Sequence, residues 1–189
     1  SEGSSICLGS RVSGLEIMEE GIQVTTKSGG DGEVCRYDRV IVAVPVEQAS
    51  EISTDLGIDI DGESIPSIVA WGFCDSMPEE APEGFRIHDL GNSTAMVELS
   101  TEMSGRLIDQ DKLSLSKIIT DSMGISGEGW KAHKWRYSRA SSGPGSVVTK
   151  DGVSFIGDAF GSDIGSAGAS LDSASRACLL YTSDAADDP

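Results

Sequence analysis

The sequence predicts an α/β chain whose middle part is α+β, and three observations carry that prediction. Residues 40–44 form an unbroken apolar run, Val-Ile-Val-Ala-Val, closed by Pro45, the pattern of a strand buried on both faces of a parallel sheet. Residues 65–73, 85–90 and 94–99 are strand-like runs separated by Pro/Glu/Gly and Gly/Asn/Ser turns, which predicts a small antiparallel sheet. Between 109 and 124 the apolar residues Leu115, Ile118, Ile119 and Met123 recur at helical spacing, with Gly124 placed to cap the C-terminus.

The other elements follow in order. Val12, Leu15 and Ile17 sit among polar neighbours, Gly21 breaks the run, and Ile22 and Val24 alternate with Gln23 and Thr25. After a turn cluster of Gly29, Gly30, Asp31 and Gly32, the residues Val34, Cys35 and Tyr37 resume the alternation, so this opening stretch reads as a β-meander. Pro45 fits the first turn of a helix over 46–52, because the N–H it lacks is not needed there. Residues 54–64 are polar and rich in Gly and Asp, and read as a connection. Residues 138–146 form a Ser/Gly/Pro loop, and strands over 147–150 and 153–156 flank Asp151-Gly152, the pair that a tight hairpin turn prefers. That hairpin delivers Gly157-Asp158.

Composition narrows the function classes. The 189 residues, 38% of them hydrophobic, suffice for an ordinary packed core. Fourteen basic residues against 31 acidic ones give a formal charge of -17, which repels polyanions and argues against nucleic acid or an acidic membrane as partner. Cys7, Cys35, Cys74 and Cys178 are too widely spaced for a zinc site or a disulfide framework and read as buried free thiols; no metal site is expected. No apolar run approaches the roughly 20 residues that cross a bilayer, so the expectation is a soluble, cytoplasmic protein. The chain opens on Ser1 and soon enters a strand pattern, from which an upstream segment is expected to be missing. At the other end, residues 178–189 resemble a translated sequencing-library adapter; on that reading Asp184, Asp187 and Asp188 carry no functional meaning and the native cysteines fall from four to three.

Two distant stretches resemble one family. Tyr37-Asp38-Arg39-Val40-Ile41-Val42-Ala43-Val44-Pro45-Val46-Glu47-Gln48-Ala49 is similar to the segment in which flavin amine oxidases return a strand to their dinucleotide-binding sheet. Val153-Ser154-Phe155-Ile156-Gly157-Asp158-Ala159-Phe160, followed by Gly168-Ala169-Ser170-Leu171-Asp172-Ser173-Ala174, resembles the closing motif of the same family: a strand ending in Gly-Asp, a loop and a small-residue helix. Asp172 and Ser173 depart from it, since the family has Ser and Gly there. Trp130-Lys131-Ala132-His133-Lys134-Trp135-Arg136-Tyr137-Ser138 resembles a segment of the renalase-like branch.

The resemblance implies a partial FAD-binding Rossmann-like domain interrupted by an antiparallel-sheet substrate domain, with FAD as cofactor. The expected bounds are 1–53 and 146–177 for the FAD-binding part and 54–145 for the substrate part. Val12 would meet adenine through its backbone, Pro45 would end the returning strand beside the cofactor, and Gly157 would let the backbone approach it. Asp158 would accept ribityl hydroxyls, while Gly168 and Ala169 would aim helix N–H groups and a positive dipole end at the flavin. Trp135 and His133 are the candidate substrate contacts, against the plainer reading of a buried structural Trp and a surface His. His88 lacks a partner at ligand spacing. The implied activity is hydride transfer from a dihydronicotinamide-type donor or an amine to the flavin, with O2 as acceptor, in the full-length enzyme. The fragment alone, which lacks a G-x-G-x-x-G phosphate turn, is expected to be inactive. The alternatives are a non-catalytic β-rich module and a desaturase- or protoporphyrinogen-oxidase-like flavoenzyme; no residue is assigned to catalysis and the oligomeric state stays open.

Overall fold

A computed structural model describes residues 5–28, 31–74, 76, 78–125 and 129–184, with backbone only at residues 28, 31 and 181–184. The chain divides into two compact units, Ser1–Glu63 with Ala140–Pro189, and Ser64–Arg139. No helix among the described residues is long and apolar enough to cross a membrane. Nor does any group of three His, Cys, Asp or Glu side chains among them gather as a metal ion requires.

The first unit opens on an antiparallel meander, β1 (Arg11–Ile17), β2 (Ile22–Ser28) and β3 (Asp31–Tyr37), paired in that order. Gly29 and Gly30 of the expected turn lie outside the described residues. Strand β4 (Val40–Val42) leads through Pro45 into α1 (Val46–Asp55). The apolar run thus yields three strand residues rather than five, and Ile41 is 45% exposed where burial on both faces is expected. Pro45 is the residue just outside the helix, and its carbonyl accepts the Ala49 N–H at 2.9 Å. Strands β9 (Val148–Lys150) and β10 (Val153–Phe155) form the expected hairpin, and the turn has φ +46° at Asp151 and +85° at Gly152, as a type I′ turn needs. β10 lies parallel to β4 in the register Val153↔Val40 to Phe155↔Val42. The unit closes with helix α4 (Ala167–Asp184), and Leu15, Ile22, Val42, Val46, Val153, Phe155 and Phe160 fill its core.

In the second unit β5 (Ser64–Phe73), β6 (Phe85–Gly91), β7 (Thr94–Leu99) and β8 (Lys131–Ala140, whose last residue belongs to the first unit) make one sheet in the order β6-β7-β5-β8. Ile68, Ala70, Ala95, Val97, Leu99 and Ala132 of this sheet belong to the core that includes Leu115, Ile119 and Met123 of α3 (Lys112–Met123). Asp111 caps that helix by accepting from the Leu113 and Ser114 N–H groups, and Gly124 ends it in the left-handed region at φ +63°. Helix α2 (Thr101–Leu107) is unforeseen in the sequence. It stands on Ser100, whose hydroxyl accepts the Met103 N–H at 3.3 Å, and on buried Ser104, whose hydroxyl takes the Ile68 N–H and reaches the Leu99 carbonyl.

The cysteines correct one expectation. All four are free, but only Cys74 is buried; Cys7 and Cys178 are exposed and Cys35 lies between. Cys7 lies in the irregular stretch before β1, Cys35 on the outer strand β3 of the meander and Cys178 on the surface of α4.

Candidate functional site

Because β4 and β10 run parallel in register, Pro45 and Gly157-Asp158 leave the sheet at the same, carboxyl, end. That edge is where open α/β sheets receive ligands. Helix α4 is strapped to the same corner. Ser173 is fully buried, and its hydroxyl accepts the Gly157 N–H at 3.0 Å. Its own hydrogen can reach the Gly157 carbonyl at 3.1 Å or the Ser170 carbonyl at 2.9 Å. The departure from the family motif at 173 is therefore the pin that holds strand to helix.

Asp158 does two things at once. One carboxylate oxygen accepts the N–H of buried Ala140 at 2.7 Å, fixing the end of β8 within the first unit. The other takes no hydrogen bond among the described residues and remains able to accept one. Gly157 has φ +136°, a conformation L side chains rarely adopt, and that sets the direction in which Asp158 leaves the strand. Close packing continues at Gly161, where a Cβ would stand 2.4 Å from the Ala169 carbonyl oxygen. Only glycine lets this loop lie against the first turn of α4.

Ser166 caps α4, its hydroxyl accepting the Ala169 N–H at 2.9 Å. Ala169 is thus buried with its donor used, whereas Ala167 and Gly168 are exposed and their N–H groups meet no acceptor among the described residues. The helix end is accordingly open at two donors and carries the positive end of an 18-residue dipole. Asp172, the second departure, pairs with Arg176 Nε at 3.0 Å, so its charge is offset within the helix. The structure brings Pro45, Gly157, Asp158, Gly168 and Ala169 to one neighbourhood of sheet edge and helix start. Val12 stands elsewhere in the unit, on β1 at the edge of the meander.

These residues fit a flavin on the chemistry of their donors and acceptors: one open carboxylate oxygen for hydroxyls, two open N–H groups under a helix dipole for an electron-rich ring edge.

The second unit offers a different surface. Lys134 donates to the Ile108 and Gln110 carbonyls at 2.8 and 2.7 Å, and Arg136 pairs with Asp109, so these side chains of β8 face the α2–α3 connection. Donating a hydrogen bond to Asp109, and lying beside its charge, raises the Arg136 pKa still further. By the period of a strand, His133, Trp135, Tyr137 and Arg139 share the opposite face. There Trp71 of β5 stacks on His133, ring centres 4.5 Å apart and 15° from parallel, and Trp135 lies 6.0 Å beyond His133. Trp135 is 46% exposed, which overturns the plainer reading of a buried structural Trp. Trp71 was missed in the sequence, although Val69, Trp71 and Phe73 alternate with buried Ile68, Ala70 and Gly72 along one strand. His88 does find a neighbour, Glu98 at 3.7 Å, which it pairs with only when protonated.

No protein-family model and no curated protein matches the chain. Among solved structures it is similar to the flavin-dependent monooxygenase PieE in complex with FAD and substrate, at 18% identity over 81% of this chain and 30% of that one, TM-score 0.51. It is also similar to OxyS anhydrotetracycline hydroxylase from Streptomyces rimosus, at 16% identity over 90% and 36%, TM-score 0.51. A third is CabE, an aromatic hydroxylase from angucycline biosynthesis, at 11% identity over 80% and 33%, TM-score 0.51. The chain spans about a third of the length of each. At these identities the likeness is one of fold, and the chain has the mixed α/β fold of part of a flavin-dependent monooxygenase.

Proposed function

We propose that the chain is the later part of an FAD-dependent oxidoreductase, renalase-like in its sequence motifs, acting on a small planar substrate. FAD, if bound, would supply the redox chemistry for oxidising a dihydronicotinamide-type or amine donor, with O2 as the acceptor. The observation that carries the reading is the corner itself: Ser173 pins Gly157 to α4, and the loop after Asp158 packs at Gly161 against Ala169 in the helix's first turn, at the carboxyl end of a parallel strand pair.

The chain's own residues divide the work. Asp158 holds the corner and offers one oxygen to a ribityl hydroxyl, and the open Ala167 and Gly168 N–H groups favour negative charge on the ring edge by about 1 kcal/mol. Pro45 ends the neighbouring strand. On the sheet face of the second unit, Trp71 stacked on His133, with Trp135 tilted beyond it, gives a flat ring a platform without needing a general base, which a dihydropyridine donor does not require. The fold likeness to hydroxylases favours a second reading, in which oxygen enters the substrate.

The test is to express the complete reading frame and ask for a yellow protein that a dihydronicotinamide bleaches without air. Asp158→Ala should lower flavin affinity by roughly tenfold or more, the loss of about one charge-assisted hydrogen bond. Hydrogen peroxide equal to donor consumed supports the oxidase reading, and labelled oxygen in the organic product supports the hydroxylase. A colourless protein from a flavin-replete host overturns both.

A further inference from the structure

The aromatic stripe of the second unit does not end in open surface. It runs along β8 from His133 through Trp135 and Tyr137 to Arg139, and Arg139 lines a cleft of about 620 Å³ with Ser138, Ile65, Pro66 and Ser67 on the near side and Arg86, Glu98 and Ser100 on the far side. The two arginines differ. Arg86 is occupied, its Nη1 3.5 Å from Glu98 Oε2. Arg139 is exposed and pairs with no acid among the described residues, in a chain where acids outnumber bases 31 to 14. Lys134 and Arg136, on the same strand, both found oxygen partners in the α2–α3 connection. A solvent-facing guanidinium without an acid partner among the described residues, beside Ser67 and Ser138 and at the end of an aromatic row along β8, is open to an anion.

We propose that Arg139 anchors the acid group of a ligand whose flat ring lies on the Trp135–Tyr137 stretch, so that this cleft selects planar acids, phosphorylated or carboxylated, over their neutral analogues. The proposal rests on the reading that this face takes a planar ring, and it adds the charge that the ligand must carry. Two residues along a strand span about 7 Å, so Arg139 stands about 7 Å from Tyr137 and about 13 Å from Trp135. The reach of the guanidinium shortens both, and an acid one sugar or a short alkyl chain away from its ring fits. Arg suits the task better than Lys because its planar fork meets carboxylate or phosphate through two parallel bonds.

The experiment needs no flavin. Saturable quenching of tryptophan fluorescence in the 189-residue chain is titrated with nicotinamide mononucleotide, with nicotinamide riboside as the same ring without the phosphate. Indole-3-butyrate serves as a competing carboxylate. The mononucleotide should bind about tenfold or more tightly than the riboside, Arg139→Gln should remove that difference, and Arg139→Lys should restore part of it. Trp135→Ala should weaken both ligands alike. Competition by indole-3-butyrate that Arg139→Gln abolishes assigns the anchor to carboxylates as well; failure to compete confines it to phosphate, and either supports an anion site. Equal binding of mononucleotide and riboside, or an Arg139→Gln chain that still tells them apart, overturns the proposal, whether or not the complete enzyme proves to hold flavin.

Discussion

The corner of the first unit and the face of the second are made of different materials. At the corner the groups offered to a ligand are backbone N–H groups and one carboxylate oxygen, and side chains tie the corner together: buried Ser173 on Gly157, half-buried Asp158 on Ala140. On the face they are exposed side chains, Trp135, Tyr137 and Arg139, standing on a sheet whose other side is packed. The contrast teaches that stability and ligand recognition are coupled at the corner and separable on the face. Removing a corner group disturbs the fold that presents it, while removing a face group leaves the sheet beneath untouched.

The largest test asks whether the two units unfold separately. All three tryptophans, Trp71, Trp130 and Trp135, lie in Ser64–Arg139, so tryptophan fluorescence reads the second unit alone while far-ultraviolet circular dichroism reads both. Phe155 is fully buried in the first core, and Phe155→Ala should cost about 3–5 kcal/mol through lost burial and a cavity. The dichroism should therefore resolve an early transition in urea with the fluorescence midpoint unchanged. An equal fall in both signals would mean one cooperative unit and would end the comparison.

Next in size are the pins. Ser173→Ala leaves the Gly157 N–H without its acceptor next to a helix packed too closely for water to replace the hydroxyl, a loss of about 1–3 kcal/mol in the same dichroism transition. On the face, Arg139→Gln should change stability by no more than about 0.5 kcal/mol, because an exposed side chain without an ion pair among the described residues has little to lose. If Arg139→Gln destabilises as much as Ser173→Ala, the face is structural and the separation drawn between the regions fails.

What the sequence disclosed follows the same division. The hairpin at Asp151-Gly152, the cap at Gly124 and the Gly157-Asp158 corner were legible because each needs a backbone conformation that few residues supply, so residue type points directly to geometry. Helix α2 was not: Thr-Glu-Met-Ser-Gly-Arg-Leu is short and offers only Met103 and Leu107 to the core, too few for a readable period, and a cap and a buried hydroxyl complete its hold. The strand at 40–44 read longer and more buried than it is, since an apolar run records the burial a strand is suited to, while Ile41 is left 45% exposed. Period-2 alternation showed that Trp135 and Lys134 point to opposite sides, yet only the partners of Lys134 and Arg136 decide which side faces the helices.

The smallest effect sharpens the second unit's own stability. Asp111 holds its carboxyl below the usual aspartate range, chiefly through the hydrogen bond from the Ser114 hydroxyl and then through the Ser114 and Leu113 N–H groups at the start of α3. A carboxyl whose folded pKa is depressed contributes stability that is fully present above its unfolded value of about 3.9 and is lost as pH falls through the lower folded value. Asparagine caps a helix nearly as well but cannot titrate. Between pH 5 and pH 3 the fluorescence-detected urea midpoint of the Asp111→Asn chain should therefore fall less steeply than that of the parent, while the dichroism transition of the first unit, which holds no part of α3, should fall equally in both. Parallel acid limbs in the fluorescence signal would show that the cap carries no titratable share of the second unit's stability.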